Sequence, residues 1–132
     1  METERHRQVV DLTDRLQARV AEEGWTDGAV HLFVLHTTAC LTTPHLHPGT
    51  HPDMPDAFEA MIPKLPYRHP HDPSHVGDHI LSSLVGPSLL VPVRGGELVL
   101  GQWQRVVLVE MTGPRPRSIT LQFFPSSHRA DT

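Results

Sequence analysis

Eleven histidines stand against a single lysine in this chain of 132 residues. Seven of the eleven fall between positions 45 and 79: His45, His47, His51, His69, His71, His75 and His79. They share that stretch with seven prolines and four aspartates. Imidazole is the commonest protein ligand for zinc, and three imidazoles with an open fourth position make a catalytic site. It is also the side chain whose charge changes nearest neutral pH; protonating all eleven carries the formal net charge from −4 to +7. His71, His75 and His79 have the spacing of one helix face, but Pro73 and Gly77 interrupt that helix. His75 and His79 share a face only if the helix begins before Gly77. Taken singly, each of these histidines reads most simply as a solvated residue of a proline-rich loop. Taken together, they are candidates to supply at least one functional imidazole, since loops carry sites.

Three further groups could do chemistry. His36 ends an apolar run and precedes Thr37-Thr38, so it is held by a strand and can face a pocket, or it can bond a neighbouring threonine hydroxyl inside the core. His31, inside the same run, reads as a satisfied core histidine. Gly101-Gln102-Trp103-Gln104-Arg105 interrupts an aliphatic stretch. If that stretch is one strand, Gln102 and Gln104 fall on its apolar face and need partners. Trp103 with two amides then makes either a packed aromatic beside a satisfied loop or the floor of a pocket for a flat heterocycle. Arg115 and Arg117 flank Pro116 on a stiff turn, where two guanidinium forks can hold a phosphate or stand in solvent. No glycine-rich phosphate loop, nucleophile elbow or HExxH pattern occurs.

The elements that must position these groups follow from periodicity. Leu12, Leu16 and Val20 predict a helix over 12–23, started near Asp11 or Thr13 and stopped at Gly24. Val9 and Val10 before it read as a short strand. Val30, Leu32 and Val34 alternate with His31, Phe33 and Leu35, which predicts a central strand apolar on both faces, with another extended piece over 37–43. Asp53 or Asp56 caps a short helix that ends before Pro63 or near Pro66, and another spans Asp78 to Gly86. Leu89–Val93 and Glu97–Met111 read as strands around the hairpin turn Arg94-Gly95-Gly96, with Pro92 marking an edge or an irregularity. Ser118–Phe124 is a last strand. Helix, strands, helices, strands is the order of a single α+β domain over 1–132 with a mainly antiparallel, sandwich-like sheet core.

Composition narrows the function. A length of 132 residues with 38% hydrophobic and 20% charged residues fits one folded domain. The net charge of −4 lacks the fixed positive excess of a nucleic-acid binder. The single cysteine, Cys40, excludes an internal disulfide and a thiolate-rich zinc site. No apolar run reaches membrane-spanning length and the charged N-terminus is no signal peptide, so the expected location is the cytoplasm, with no membrane partner.

Several segments together resemble the YjbQ family: His36-Thr37-Thr38-Ala39 after its apolar run, D-H-I-L-S-S-L-V-G-P-S-L around His79, V-P-V-R-G-G-E-L, L-G-Q-W-Q-R and G-P-R-P-R. The resemblance runs from about residue 28 to 124. It implies a small α+β protein assembled as a homotrimer, with pockets at subunit interfaces that take a small phosphorylated molecule. The activity it implies is that of a thiamine-phosphate synthase, a transferase joining a hydroxymethylpyrimidine diphosphate to a thiazole phosphate. In that reading His36, His79, Trp103 and Gln104 are catalytic. Thr37, Thr38, Arg115 and Arg117 bind the ligand's phosphate. His45, His69 and His79 hold a divalent metal, zinc or magnesium. One departure stands out: Pro44-His45 occupies the positions where the family carries Asn-Glu, so a carboxylate is lost there and Asp53 is the nearest that remains. The alternative function is a divalent-metal- or small-ligand-binding protein without turnover.

Overall fold

The chain is described by a computed structural model covering residues 1–46, 53–62, 65–66 and 76–126. His47, His51, His69, His71, His75 and His128 lie outside the described residues. Among the described residues, seven strands and three helices follow in the order β1 (Gln8–Asp11), α1 (Thr13–Glu23), β2 (Gly28–Val34), β3 (Ala39–Thr42), α2 (Asp53–Ala60), α3 (Val76–Val85), β4 (Ser88–Arg94), β5 (Glu97–Leu98), β6 (Val107–Glu110) and β7 (Ile119–Pro125). Every strand pairing is antiparallel, in two sheets with orders β1-β6-β3 and β5-β4-β2-β7. The α+β architecture expected from the sequence is the one observed.

The alternation of β6 shows how the layers stack. All four of its residues are buried. Leu108 joins the core that β2, β4 and α1 build from Val30, Leu32, Val91, Leu12 and Leu16. Its neighbours Val107 and Val109 point the other way, into a second core with Val9, Cys40 and Leu81, against which Met54 of α2 and Val85 of α3 pack. The three-stranded sheet is therefore a middle layer, covered on one face by the four-stranded sheet and α1 and on the other by α2 and α3. Period two puts Glu110 on the same face as Leu108, at the strand's end between the two sheets. Cys40 sits in this middle layer, and burial pushes its thiol up to about 12, so it has little thiolate to react with.

Local signals account for most boundaries. Asp11 Oδ1 accepts the Thr13 N–H at 3.0 Å where α1 starts, and Gly24 closes it with φ 70°. The hairpin between β4 and β5 turns on Gly95 and Gly96 at φ 58° and 79°, which L side chains disfavour. Pro92 lies just past the end of the β5 pairing, where its missing N–H interrupts no ladder.

Three expectations need correction. The stretch Glu97–Met111 is not one strand: β5 ends at Leu98, a turn closes with Gln104 N–H on the Gly101 carbonyl at 3.1 Å, and β6 joins the other sheet. Gln104 accordingly satisfies its own amide, its Oε1 accepting the Gly101 N–H at 2.8 Å, and no pair of amides lies on a buried face. The central strand β2 is covered on one side only; Phe33 and Leu35 on the other side are 39% and 56% exposed because no described element packs there. His31 shares that outer face, and its Nε2 bonds the Ser88 hydroxyl at 2.5 Å instead of sitting in the core.

Candidate functional site

Where β2 and β6 end between the sheets, the chain leaves an open cavity of about 500 Å³. Leu35, His36, Thr37, Thr38, His79, Arg115, Pro116 and Arg117 line it. Six of the residues singled out in the sequence therefore meet in one place, drawn from the β2–β3 connection, α3 and the turn before β7. A volume of this size suits a small organic ligand, since such pockets run from about 300 to 1,000 Å³.

His36 follows β2 on the face of Val30, Leu32 and Val34, so the strand's pleat aims it inward. Its Nε2 accepts the Ser118 N–H at 3.0 Å. That bond assigns the neutral tautomer with the proton on Nδ1, which leaves an N–H donor to offer a ligand. Burial lowers the pKa of His36 below its ordinary value, the charges of Arg117 and Arg115 lower it further, and Glu110 opposes them. The ring is therefore neutral at pH 7.

Arg117 is only 3% exposed and its fork is committed inside the protein. Nε donates to Glu110 Oε1 at 2.8 Å, and Nη2 closes a second short bond to Glu110 Oε2. Nη2 also donates to the hydroxyl of Thr38 at 2.8 Å and to its carbonyl at 3.2 Å. Glu110 is fully buried and takes two further bonds, from the Thr3 hydroxyl at 2.6 Å and the Thr112 N–H at 3.3 Å. Burial by itself would raise the Glu110 pKa, but the Arg117, Thr3 and Thr112 bonds hold it below its ordinary value. The pair forms the cavity's rigid base, with neither charge spare for a ligand.

Arg115 differs. It is exposed, its Nε donates to the Thr112 carbonyl at 2.7 Å, and its Nη groups bond no described residue. One hydrogen bond thus orients a guanidinium whose remaining donors face the cavity. His79, in the second turn of α3, contributes the opposite wall; its carbonyl accepts the Ser83 hydroxyl at 3.0 Å. No carboxylate is among the described lining residues.

The remaining candidates lie elsewhere. His45 and Gln104 form an isolated antiparallel bridge, and the rings of His45 and Trp103 stand 5.7 Å apart at 54°. Trp103 is 57% exposed, and none of these three residues lines the cavity. Within one chain the aromatic plate and the imidazole–guanidinium pocket are separate features. The metal reading gathers no set of ligands: among the described residues no three His, Cys, Asp or Glu side chains converge, and His69 lies outside them. The described residues by themselves do not fit a protein-held metal. A second hollow of about 640 Å³ lies between α1 and β7, floored by Leu12, Leu16, Ile119 and Leu121.

The sequence reading passed over Thr3, Arg7, Asp78, Glu110 and Thr112. Glu110 carried a usable signal, an acid at the end of the apolar run VVLV, where a buried charge must find a partner. Arg7 and Thr3 carried none, because their role depends on the N-terminal segment lying beside the turn 112–117. Thr3 N–H bonds the Arg115 carbonyl at 3.0 Å, and the Gly113 N–H bonds the His6 carbonyl at 2.8 Å.

Among the described residues, two antiparallel sheets and three helices define a small α+β protein, with a cavity that pairs a neutral imidazole with an oriented guanidinium. The chain belongs to the family described as UPF0047 protein YjbQ-like, whose model matches residues 1–126. The match takes in the N-terminal segment as well as the stretch 28–124 on which the resemblance was read. The UPF0047 protein Rv2556c of Mycobacterium tuberculosis is 38% identical over 120 residues, covering 89% of each chain. YugU of Bacillus subtilis is 33% identical over 119 residues, covering 89% of this chain and 90% of its own. Among solved structures, the hypothetical protein APE1520 from Aeropyrum pernix K1 superposes with a TM-score of 0.86 at 32% identity, over 96% of this chain and 95% of that one. No helix among the described residues is long and apolar enough to cross a membrane.

Proposed function

We propose that the cavity binds a small phosphorylated molecule and that the chain is a transferase of the thiamine-phosphate-synthase type. The observation that carries this reading is the convergence of His36, Thr37, Thr38, His79 and Arg115 on one cavity whose only uncommitted fixed charge among the described residues is the positive Arg115. The reaction asks little acid–base work of the protein. The thiazole nitrogen attacks with its own lone pair, a C–N bond forms at the pyrimidine methylene, and the C–O bond to the diphosphate breaks with its electrons leaving on oxygen. No proton has to be removed from the nucleophile, so a described lining without a carboxylate suits the chemistry. Charge grows on the departing diphosphate, where Arg115 and the Nδ1–H of His36 can stabilise it. Arg117 acts from behind, locking Thr38 and Glu110 in place.

The proposed assembly is a homotrimer. Leu35 belongs both to the cavity lining and to the uncovered face of the four-stranded sheet, where Phe33, Leu90 and Phe124 are also exposed. A copy docked on that face closes the cavity's open side and can bring its own Trp103 and Gln104 to stack a pyrimidine.

The test is product formation from the two thiamine precursors, with wild type set against His79→Ala and Arg115→Ala. Wild-type product well above both variants supports the reading; none above the His79→Ala control overturns it. Pro44-His45, in place of a carboxylate-bearing pair, favours a second reading, a divalent-metal- or small-ligand-binding protein without turnover. Zinc binding by calorimetry, lost in His69→Ala/His79→Ala, together with absent product would establish that reading instead.

A further inference from the structure

The cavity's two walls come from distant parts of the chain, and a line of polar contacts behind the cavity ties them together. His79 stands on α3, and Arg115 stands on the turn after β6. Asp78, the residue before His79, is 5% exposed in the first turn of α3. Its Oδ2 accepts the Thr112 hydroxyl at 2.6 Å, and its Oδ1 accepts Arg7 Nη1 at 3.1 Å. The same Nη1 donates to the Met111 carbonyl at 3.1 Å, while Arg7 Nε faces Glu59 Oε2 on α2 at 3.3 Å. Thr112 is in turn the residue whose carbonyl aims Arg115.

An acid in a helix's first turn gains from the helix dipole while exposed. That alone does not explain a buried one shared between a guanidinium and a hydroxyl of another element. Burial of this carboxylate is costly unless it is fully paired, and the pairing it has joins the two parts of the chain that carry His79 and Arg115. Thr112 bonds through its hydroxyl on one side and through its carbonyl on the other, so a displacement of α3 is passed to the Arg115 turn.

We infer that Asp78 and Thr112, with Arg7 as the counter-charge of Asp78, are positioning residues that set His79 against Arg115 across the cavity. None of the three lines the cavity. The geometry stands by itself, and the functional readout rests on the phosphate-binding reading above.

The experiment uses the full chain, inorganic pyrophosphate as probe, and three variants. Thr112→Val keeps the side chain's shape and removes its hydroxyl; Thr112→Ser restores the hydroxyl; Arg7→Gln removes the counter-charge. Pyrophosphate affinity is read by calorimetry, and the Arg115 Nε–H is followed by nitrogen-15 NMR. Thr112→Val is expected to weaken pyrophosphate about tenfold, the scale of one hydrogen bond to a charged group partly transmitted to the site. Its Arg115 Nε–H should lose the protection seen in wild type, and Thr112→Ser should recover both within about twofold. Arg7→Gln, which reaches Asp78 from the other side, is expected to move both readouts the same way and serves if the valine variant fails to fold. A folded Thr112→Val or Arg7→Gln with wild-type affinity and an unchanged Nε–H signal overturns the inference. A wild type that ignores pyrophosphate overturns the phosphate-binding reading instead, and the Nε–H signals then decide the positioning role alone.

Discussion

Arg117→Met isolates the energetics of the cavity's base. In wild type the Glu110 carboxylate has no solvent exposure and receives two guanidinium bonds from Arg117, plus one from Thr3 and one from Thr112. The substitution keeps most of the side chain's volume and leaves a buried carboxylate with two neutral donors. Breaking a buried pair from one side costs about 3–5 kcal/mol, against a total stability of roughly 5–15 kcal/mol for a domain of this kind. The Thr3 and Thr112 bonds survive, so the lower part of that range is expected at pH 7. The pH dependence follows from the sign of the shift. The folded pKa of Glu110 lies below its unfolded value, so the pair's contribution is present above the unfolded pKa, near 4.5, and is lost as pH falls through the folded one. In Arg117→Met burial is left to dominate, the carboxyl takes up its proton earlier, and the deficit against wild type shrinks on acidification. Removing both partners together, as Glu110→Leu/Arg117→Met, should return stability to within about 2 kcal/mol of wild type, because no charge is then stranded. Urea unfolding followed by circular dichroism at pH 7 and pH 4, at one fixed protein concentration, measures all of this. A single-variant loss under about 1 kcal/mol, or a double variant as unstable as the single, would refute the account of Glu110 and Arg117 as a desolvated pair.

His36 should titrate below its ordinary 6.5 in an imidazole NMR series, through burial first and the Arg117 and Arg115 charges next. Because the folded pKa is depressed, the unfolded chain binds the proton more readily, so this residue makes stability fall as pH drops from 6.5 towards the folded value; a midpoint at or above 6.5 contradicts the Ser118 bond to Nε2. Gly113→Ala should destabilise by about 1–3 kcal/mol or more, since the added Cβ would meet the Arg5 carbonyl oxygen at 2.2 Å and Glu110 Cγ at 2.8 Å; a thermal melt at the wild-type midpoint would show that the N-terminal segment gives way freely. Sedimentation should find wild type as a trimer and Phe33→Asp/Leu90→Asp as a folded, smaller species, whereas a monomeric wild type removes the proposed assembly.

Elements with a strong local pattern were legible in the sequence, and elements set by a distant partner were not. Leu12, Leu16 and Val20 describe α1 because a helix's buried stripe is written in its own spacing. The Arg94-Gly95-Gly96 turn and Gly24 could be read because positive φ restricts the residue type. Glu97–Met111 misled because its apolar residues belong to two sheets, and alternation carries no mark of which sheet a residue enters. Phe33 and Leu35 misled because an apolar face on a strand looks the same whether the chain covers it or leaves it open. For the cavity, the type of residue was the signal: His36, His79 and Arg115 are legible as chemistry. What each does depends on its partners. Arg115 and Arg117 look alike on either side of Pro116, yet one is tethered by a single bond and faces the cavity, while the other is sunk onto Glu110.

That difference sets the charge a ligand meets in the cavity. The carboxylates behind it, Glu110 and Asp78, are both occupied by arginines. Among the described lining residues, the field presented to a ligand at neutral pH is therefore cationic, from Arg115. It grows more so once the pH falls through the depressed pKa of His36 and its ring takes a proton. Binding of a diphosphate should strengthen on acidification for as long as the ligand keeps its own charge. Pyrophosphate affinity measured from pH 7 down to pH 5, with His36→Gln as the reference that cancels the probe's own protonation, tests this: an affinity of wild type over His36→Gln that grows as the pH falls fits the cationic pocket. A ratio that stays constant over that range would overturn it.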